Sequence, residues 1–218
     1  MKVAPLKCLL AAGAALSLGA AGAGEPATPD ATAAVTRYLA GHGDFCLGKM
    51  DWPVELSALD ERARGRDVVQ MPVLESLGLV KSAMATALRV EGPDADEGAA
   101  PVPVAVRRYE LTAFGAGFVR EREIVVPGPQ GDRVVRRRDL CAAHLALDAV
   151  VDWTPGGTPG RFVATYTYLA TPAPWAASPA FRQAFPMAAR VIDGAHAMPL
   201  KQGFKRVGDE WVPDGLAD

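Results

Sequence analysis

Four arginines at alternate positions are the strongest chemical signal in the chain. Arg120 and Arg122 lie two apart, and so do Arg136 and Arg138. Residues two apart share one face of a β-strand. The segments 118–126 and 133–140 flank Pro-Gly-Pro-Gln-Gly-Asp (127–132), a turn cluster that predicts a hairpin. Paired this way, the four guanidinium groups would gather on one side. A guanidinium fork binds phosphate or carboxylate bidentately, so Arg120, Arg122, Arg136 and Arg138 form a candidate anion-binding site. The competing reading is a solvated edge kept from pairing by its charges, with Glu121 and Glu123 as counter-charges.

Sulfur, imidazole and carboxylate offer less. His42-Gly-Asp-Phe-Cys46 holds three potential ligands, but the spacing matches no recognised metal-binding pattern. Cys141 and His144 would suit a nucleophile and its base if the thiol were free. In a strand, residues three apart point to opposite faces, so His144 reads as a strand-face residue. Asp148 and Asp152, four apart, would share a face, where a buried pair could do acid–base work. On the solvated side of a half-buried strand they would do none. No Gly-x-Ser-x-Gly elbow and no phosphate-cradling glycine loop occurs. The sequence nominates no catalytic residue, no metal and no cofactor.

The first 23 residues read as a secretory signal peptide. Lys2 and Lys7 precede an apolar run from Cys8 to Ala20, and Ala21-Gly22-Ala23 is the expected cleavage site. The run is too short to span a membrane, and no other segment is long and apolar enough. Loss of Lys2 and Lys7 takes the net charge from −2 to −4. A mildly acidic chain does not attract nucleic acid as a whole. Cys46 and Cys141 are then the remaining cysteines, and an even pair in an exported protein predicts a disulfide. The address is periplasmic or secreted.

The elements that must position these residues read as a single α+β domain over residues 24–218, with a possible sub-division near 92–103. Short helices come first, a mostly antiparallel sheet follows, and one disulfide joins the halves. Asp30 is placed as the cap of a first helix. Val54, Leu56 and Leu59 are placed on a short helix opened by Pro53. Asp67 caps a clearer helix that ends at Gly78 and confines Pro72 to its first turns. Leu145, Leu147, Ala149, Val151 and Trp153 share the core face of one strand, and Phe162, Ala164, Tyr166 and Tyr168 that of the strand after the turn at 154–160. A helix capped by Ser178 packs on the sheet, Phe181 and Phe185 covering Trp153, Tyr166, Tyr168 and Trp175.

Glu75-Ser-Leu-Gly-Leu-Val80, then a strand, a loop and Tyr109-Glu-Leu-Thr-Ala-Phe-Gly115, resembles the wing region of winged-helix transcription regulators over residues 71–117. In that family a helix ending in Gly-Leu-Val leads to a β-wing, and Leu-Thr-x-x-Gly follows it. The upstream helix here carries no basic base-reading residues. The resemblance therefore implies a shape reused for contacts between proteins, and no nucleic-acid partner. Cys141, Val150-Val-Asp-Trp153, Thr165-Tyr-Thr-Tyr168 and Pro174-Trp-Ala176 together make the chain similar to uncharacterised secreted proteins of Gram-negative bacteria. That resemblance implies no activity. The functional expectation is an exported envelope protein that binds a partner protein or an anionic envelope component without catalysis. The alternative is a periplasmic hydrolase with an unrecognised site, for which Asp148 and Asp152 are the candidates at hand.

Overall fold

A computed structural model describes residues 28–90, 100–128 and 131–215. The expected leader, residues 91–99 of the acidic loop and the tip of the second hairpin lie outside them.

The first helix, α1, spans Thr28–His42. It begins ahead of Asp30, which lies in the first turn instead of capping it, and there favours the helix dipole. Strand β1 (Asp44–Cys46) follows. Residues Val54–Ser57 then form a strand, β2, not the expected helix. Val54 and Leu56 pair across the sheet with Tyr109 and Arg107, and these ladder bonds override a weak helical spacing. The helix begins only at α2 (Ala58–Ala63), where Ser57 and Asp60 close a capping box, and Leu59 is exposed.

Helix α3 spans Arg66–Ser76. Gly65, not Asp67, is its cap, and Pro72 sits in the second turn, beyond the first. The helix survives because Met71 and Leu74 are fully buried, so tertiary packing outweighs one missing backbone bond. It ends as the sequence suggests. Gly78 takes φ +74°, its N–H donates to the Glu75 carbonyl (2.9 Å), and Leu79 N–H donates to Leu74 (3.0 Å).

Strands β3 (Val80–Arg89) and β4 (Val102–Leu111) then pair antiparallel, giving a three-stranded sheet in the order β2-β4-β3. At its base Thr112 Oγ1 donates to the Gly78 carbonyl (2.6 Å) and accepts from Gly115 N–H (3.0 Å) at the start of the short helix α4 (Ala113–Ala116). A Cβ on Gly115 would lie 1.9 Å from the Leu79 carbonyl oxygen. The two motifs of the wing resemblance thus touch each other.

The larger sheet is built on one long strand. After β5 (Val119–Val126) comes β6, 23 residues from Arg133 to Pro155. Its first part pairs with β5, its middle with β1, and its second half with β7 (Arg161–Pro172). A 3-10 turn (Pro174–Ala177) leads to α5 (Pro179–Ala184) and α6 (Pro186–Asp193). Ser178 stands before α5 but makes no side-chain cap bond. Strands β8 (Leu200–Val207) and β9 (Glu210–Asp214) complete the order β1-β6-β7-β8-β9, with β5 also on β6.

Two bulges in β6, at Leu147/Ala149 and Val150/Asp152, shift the alternation. Leu145, Leu147, Val150 and Trp153 consequently meet the core, whereas Val151 is exposed and Ala149 faces out with it. Phe162, Ala164, Tyr166 and Tyr168 on β7 are all buried, as their spacing predicts.

The core has two parts. In one, α3, Tyr109 and Leu140 enclose Trp175, Phe181 and Phe185. In the other, Ala34, Val35 and Leu39 of α1 cover Leu145, Tyr166, Tyr168 and Phe204. Trp153, Tyr166 and Tyr168 thus share a core with α1, whose Tyr38 meets Phe204, and Phe181 and Phe185 serve the Trp175 side instead. Helix α6 is tied to β7 by Tyr168, whose hydroxyl donates to the Val191 carbonyl (2.7 Å).

Two outcomes follow from this packing. A Gly115→Ala chain must separate α4 from the Leu79 backbone and should lose roughly 1–3 kcal/mol in urea denaturation. Burial, with Tyr38 adding, pushes the Tyr166 hydroxyl from 10.0 up to about 12. Burial also raises Tyr109 and Tyr168. The unfolded chain then releases protons that the folded chain keeps, so stability present below pH 10 falls as pH rises toward 12. Tyr166 alone should account for roughly 2 kcal/mol of that fall. Tyr166→Phe should flatten it in denaturation curves taken across the alkaline range.

Candidate functional site

The arginine-bearing hairpin is rooted in the first core by Val119 and Leu140, and beyond them it carries exposed Val125 and Val134. The register sets Arg120 opposite Asp139, Glu121 opposite Arg138, Arg122 opposite Arg137 and Glu123 opposite Arg136. Residues directly opposite share a face. Arg136 and Arg138 therefore lie with Glu121 and Glu123, while Arg120 lies on the other face with Asp139. The four arginines are not gathered on one side as the spacing suggested, because the register is odd where that grouping needed it even.

Several of the charges have partners. Arg136 Nε lies 3.2 Å from Glu123 Oε1, Arg137 2.6 Å from Asp51, and Arg120 Nε 3.7 Å from Asp44. Arg120 also donates to the Gly117 and Val119 carbonyls. Arg133 and Arg138 have no such partner among the described residues. Residues 119–138 hold six arginines against three acidic residues in a chain of net charge −2. The hairpin is thus a net-positive ribbon with cations on both faces, suited to an extended anionic surface more than to one small anion.

The other candidates are occupied. Cys46 and Cys141 face each other across β1 and β6 and form a disulfide with S–S 2.03 Å, closing a separation of 95 residues. Chain entropy sets the ceiling of that crosslink at roughly 4–5 kcal/mol. His144 points away from Cys141, is exposed, and has Nδ1 3.1 Å from Asp44 Oδ1. His42 Nδ1 lies 3.0 Å from the Tyr38 carbonyl, its ring stacked on Tyr38. Asp148 accepts from Thr167 Oγ1 (2.9 Å) with His196 Nδ1 at 3.4 Å, and Asp152 accepts from Trp153 N–H (2.9 Å). The two carboxylates are engaged separately, each by its own neighbours. Among the described residues no group of three or more His, Cys, Asp or Glu could hold a metal ion. An open cavity of about 620 Å³ beside α6 is lined by Arg182, Arg190, Asp193 and Met198, and Arg182 and Asp193 pair within it.

Sequence reasoning missed one buried polar node. Asp139 is fully buried, and its carboxylate accepts from Lys49 N–H (2.8 Å) and Gly48 N–H (3.1 Å). Lys49, itself buried, reaches Asp67 on α3 with its Nζ. The only signal was an Asp at the step from Arg-Arg-Arg to Leu-Cys, and nothing local tells that a turn 90 residues earlier will supply the donors. An Asn side chain offers one acceptor to these two N–H groups. Asp139→Asn should therefore cost roughly 2–3 kcal/mol in denaturant titration, with the disulfide intact.

No protein-family model, no curated protein and no solved structure matches the chain.

Proposed function

We propose that the chain is an exported interaction module that binds an anionic component of the cell envelope through the β5–β6 ribbon. The observation that carries this reading is the excess of arginine on a two-stranded projection with cations on both faces. The ribbon adds little to either core, and Val125 and Val134 on it are exposed. A segment that adds little to the core yet concentrates charge is suited to contact with something else. The disulfide supports an oxidising compartment, and no helix among the described residues is long and apolar enough to cross a membrane. The passage from α3 through Gly78-Leu79 into β3, β4 and Thr112 supports the wing-like reading of residues 71–117 as a shape for protein contacts.

Cosedimentation with vesicles tests the ribbon. The protein should pellet with vesicles containing anionic lipid, less so at high salt, and not with purely zwitterionic ones. An Arg133→Gln/Arg138→Gln chain removes two cations that have no ionic partner, so the fold should be unchanged. At about 1 kcal/mol for each arginine near such a surface, the double change should weaken binding roughly tenfold to thirtyfold. Equal binding by both chains would overturn the assignment.

A further inference from the structure

The sheets differ in how their edges are protected. Strand β5 presents alternating Arg and Glu, β9 carries Pro213 between acidic ends, and β2 is four residues long and runs directly into α2. Charges, proline and shortness each discourage a further strand from adding. Strand β3 is neither short nor interrupted by proline, and its charges, Lys81 and Arg89, stand only toward its two ends. It is the outer strand in the order β2-β4-β3, ten residues long, and its run Ser-Ala-Met-Ala-Thr-Ala-Leu (82–88) is uncharged.

The backbone parity of β3 is fixed at its start. Thr112 N–H donates to the Leu79 carbonyl, so odd-numbered residues turn their N–H and C=O groups toward β4 and even-numbered ones turn outward. The first outward N–H, that of Ser82, is taken by Glu75 Oε1 at 2.7 Å. Met84, Thr86 and Leu88 then present outward backbone groups with no partner strand among the described residues. Their side chains share one face, on which Met84 is 69% and Leu88 70% exposed.

We propose that this edge pairs with the same edge of a second copy, antiparallel and two-fold symmetric about Thr86. In that register Met84 faces Leu88 of the second copy, Thr86 faces Thr86, and Leu88 faces Met84. The three outward residues are thus used completely. Each exposed apolar side chain gains one apolar neighbour, the Met84–Leu88 contact occurring twice by symmetry, and the threonines form a cross-strand pair at the axis. Charge selects the same register. Centring on Ala85 would set Lys81 against Arg89 of the other copy and Leu88 against the occupied Ser82. Centring on Thr86 sets Arg89 against Ala83, with its charge already neutralised by Asp60 at 2.7 Å. The two small sheets become one six-stranded sheet. An extended peptide from another protein could use the same backbone groups, but it would not require the strand to be self-complementary about one residue.

Sedimentation of the intact, disulfide-bonded chain over a wide concentration range tests the pairing. The mass should rise with concentration from one chain to two. Thr86→Lys sets two ammonium groups side by side at the axis. Thr86 is exposed, so the monomer should stay folded by circular dichroism while the dissociation constant rises at least tenfold. Thr86→Cys should crosslink to its counterpart under mild oxidation, because facing residues of a bonded pair lie about 5.5 Å apart, within disulfide reach. Ala83→Cys should not, being removed from its own counterpart by several residues along the strand. The Arg133→Gln/Arg138→Gln chain should dimerise normally, which separates this surface from the ribbon. A single-chain mass at every concentration, including one that shifts only when an added extended peptide binds, would overturn the dimer. So would a dimer indifferent to Thr86→Lys, or equal crosslinking at 83 and 86.

Discussion

The attachment of β6 to the turn after β1 holds the two halves of the molecule in one frame. Leu140 and Ala142 of this strand belong to the core under the small sheet, and Leu145 belongs to the core under α1. Beside them the Asp139 carboxylate takes the Gly48 and Lys49 N–H groups, and Cys141 is bonded to Cys46. Lys49 carries the link onward to Asp67 on α3. A buried carboxylate is tolerable only where its oxygens are met by donors, and here those donors come from the segment that must stay docked. The disulfide and the carboxylate act at the same junction by different means. One restricts the unfolded chain, and the other makes any different docking leave a buried charge without donors.

The small sheet hangs between the two cysteines, and its internal logic is local. The Schellman turn at Gly78, the Thr112 hydroxyl and the close approach of Gly115 to Leu79 bring the ends of α3, β3 and β4 to one point. From there β3 and β4 run outward beyond the shelter of α3, which is why Val80 is buried and Met84 is not. The arginine ribbon leaves the molecule in a similar way, but with charges where β3 has alanines. One projection therefore carries charges along its length, which discourage strand addition, and the other carries an uncharged run between Lys81 and Arg89.

Much of the β architecture was legible because alternation is a strong signal over short runs. Phe162, Ala164, Tyr166 and Tyr168 keep their period along β7 without interruption and are buried together. The same reading failed on β6 after Leu147. A bulge inserts a residue without leaving a mark in composition, so Val150 and Val151 exchanged places between core and solvent. The hairpin of β5 and β6 was foreseen, but not which arginines would face each other. Its turn allows more than one register, and a slip of one residue moves every side chain to the other face. At Val54–Ser57 a helical spacing was overruled by pairing with β4, a partner some fifty residues away in sequence.

By itself the sequence determined what depends on neighbours along the chain: the α+β class, the glycine stop of α3, the second hairpin, and the cysteine pair as the available crosslink. Tertiary structure alone decided which helix covers which aromatic cluster, where the arginines meet their counter-charges, and that Asp139 would be buried against Gly48 and Lys49. The division has a physical cause. Capping, turn chemistry and strand period are set within a few residues, whereas register, burial and charge pairing depend on surfaces that exist only once distant segments have closed on each other.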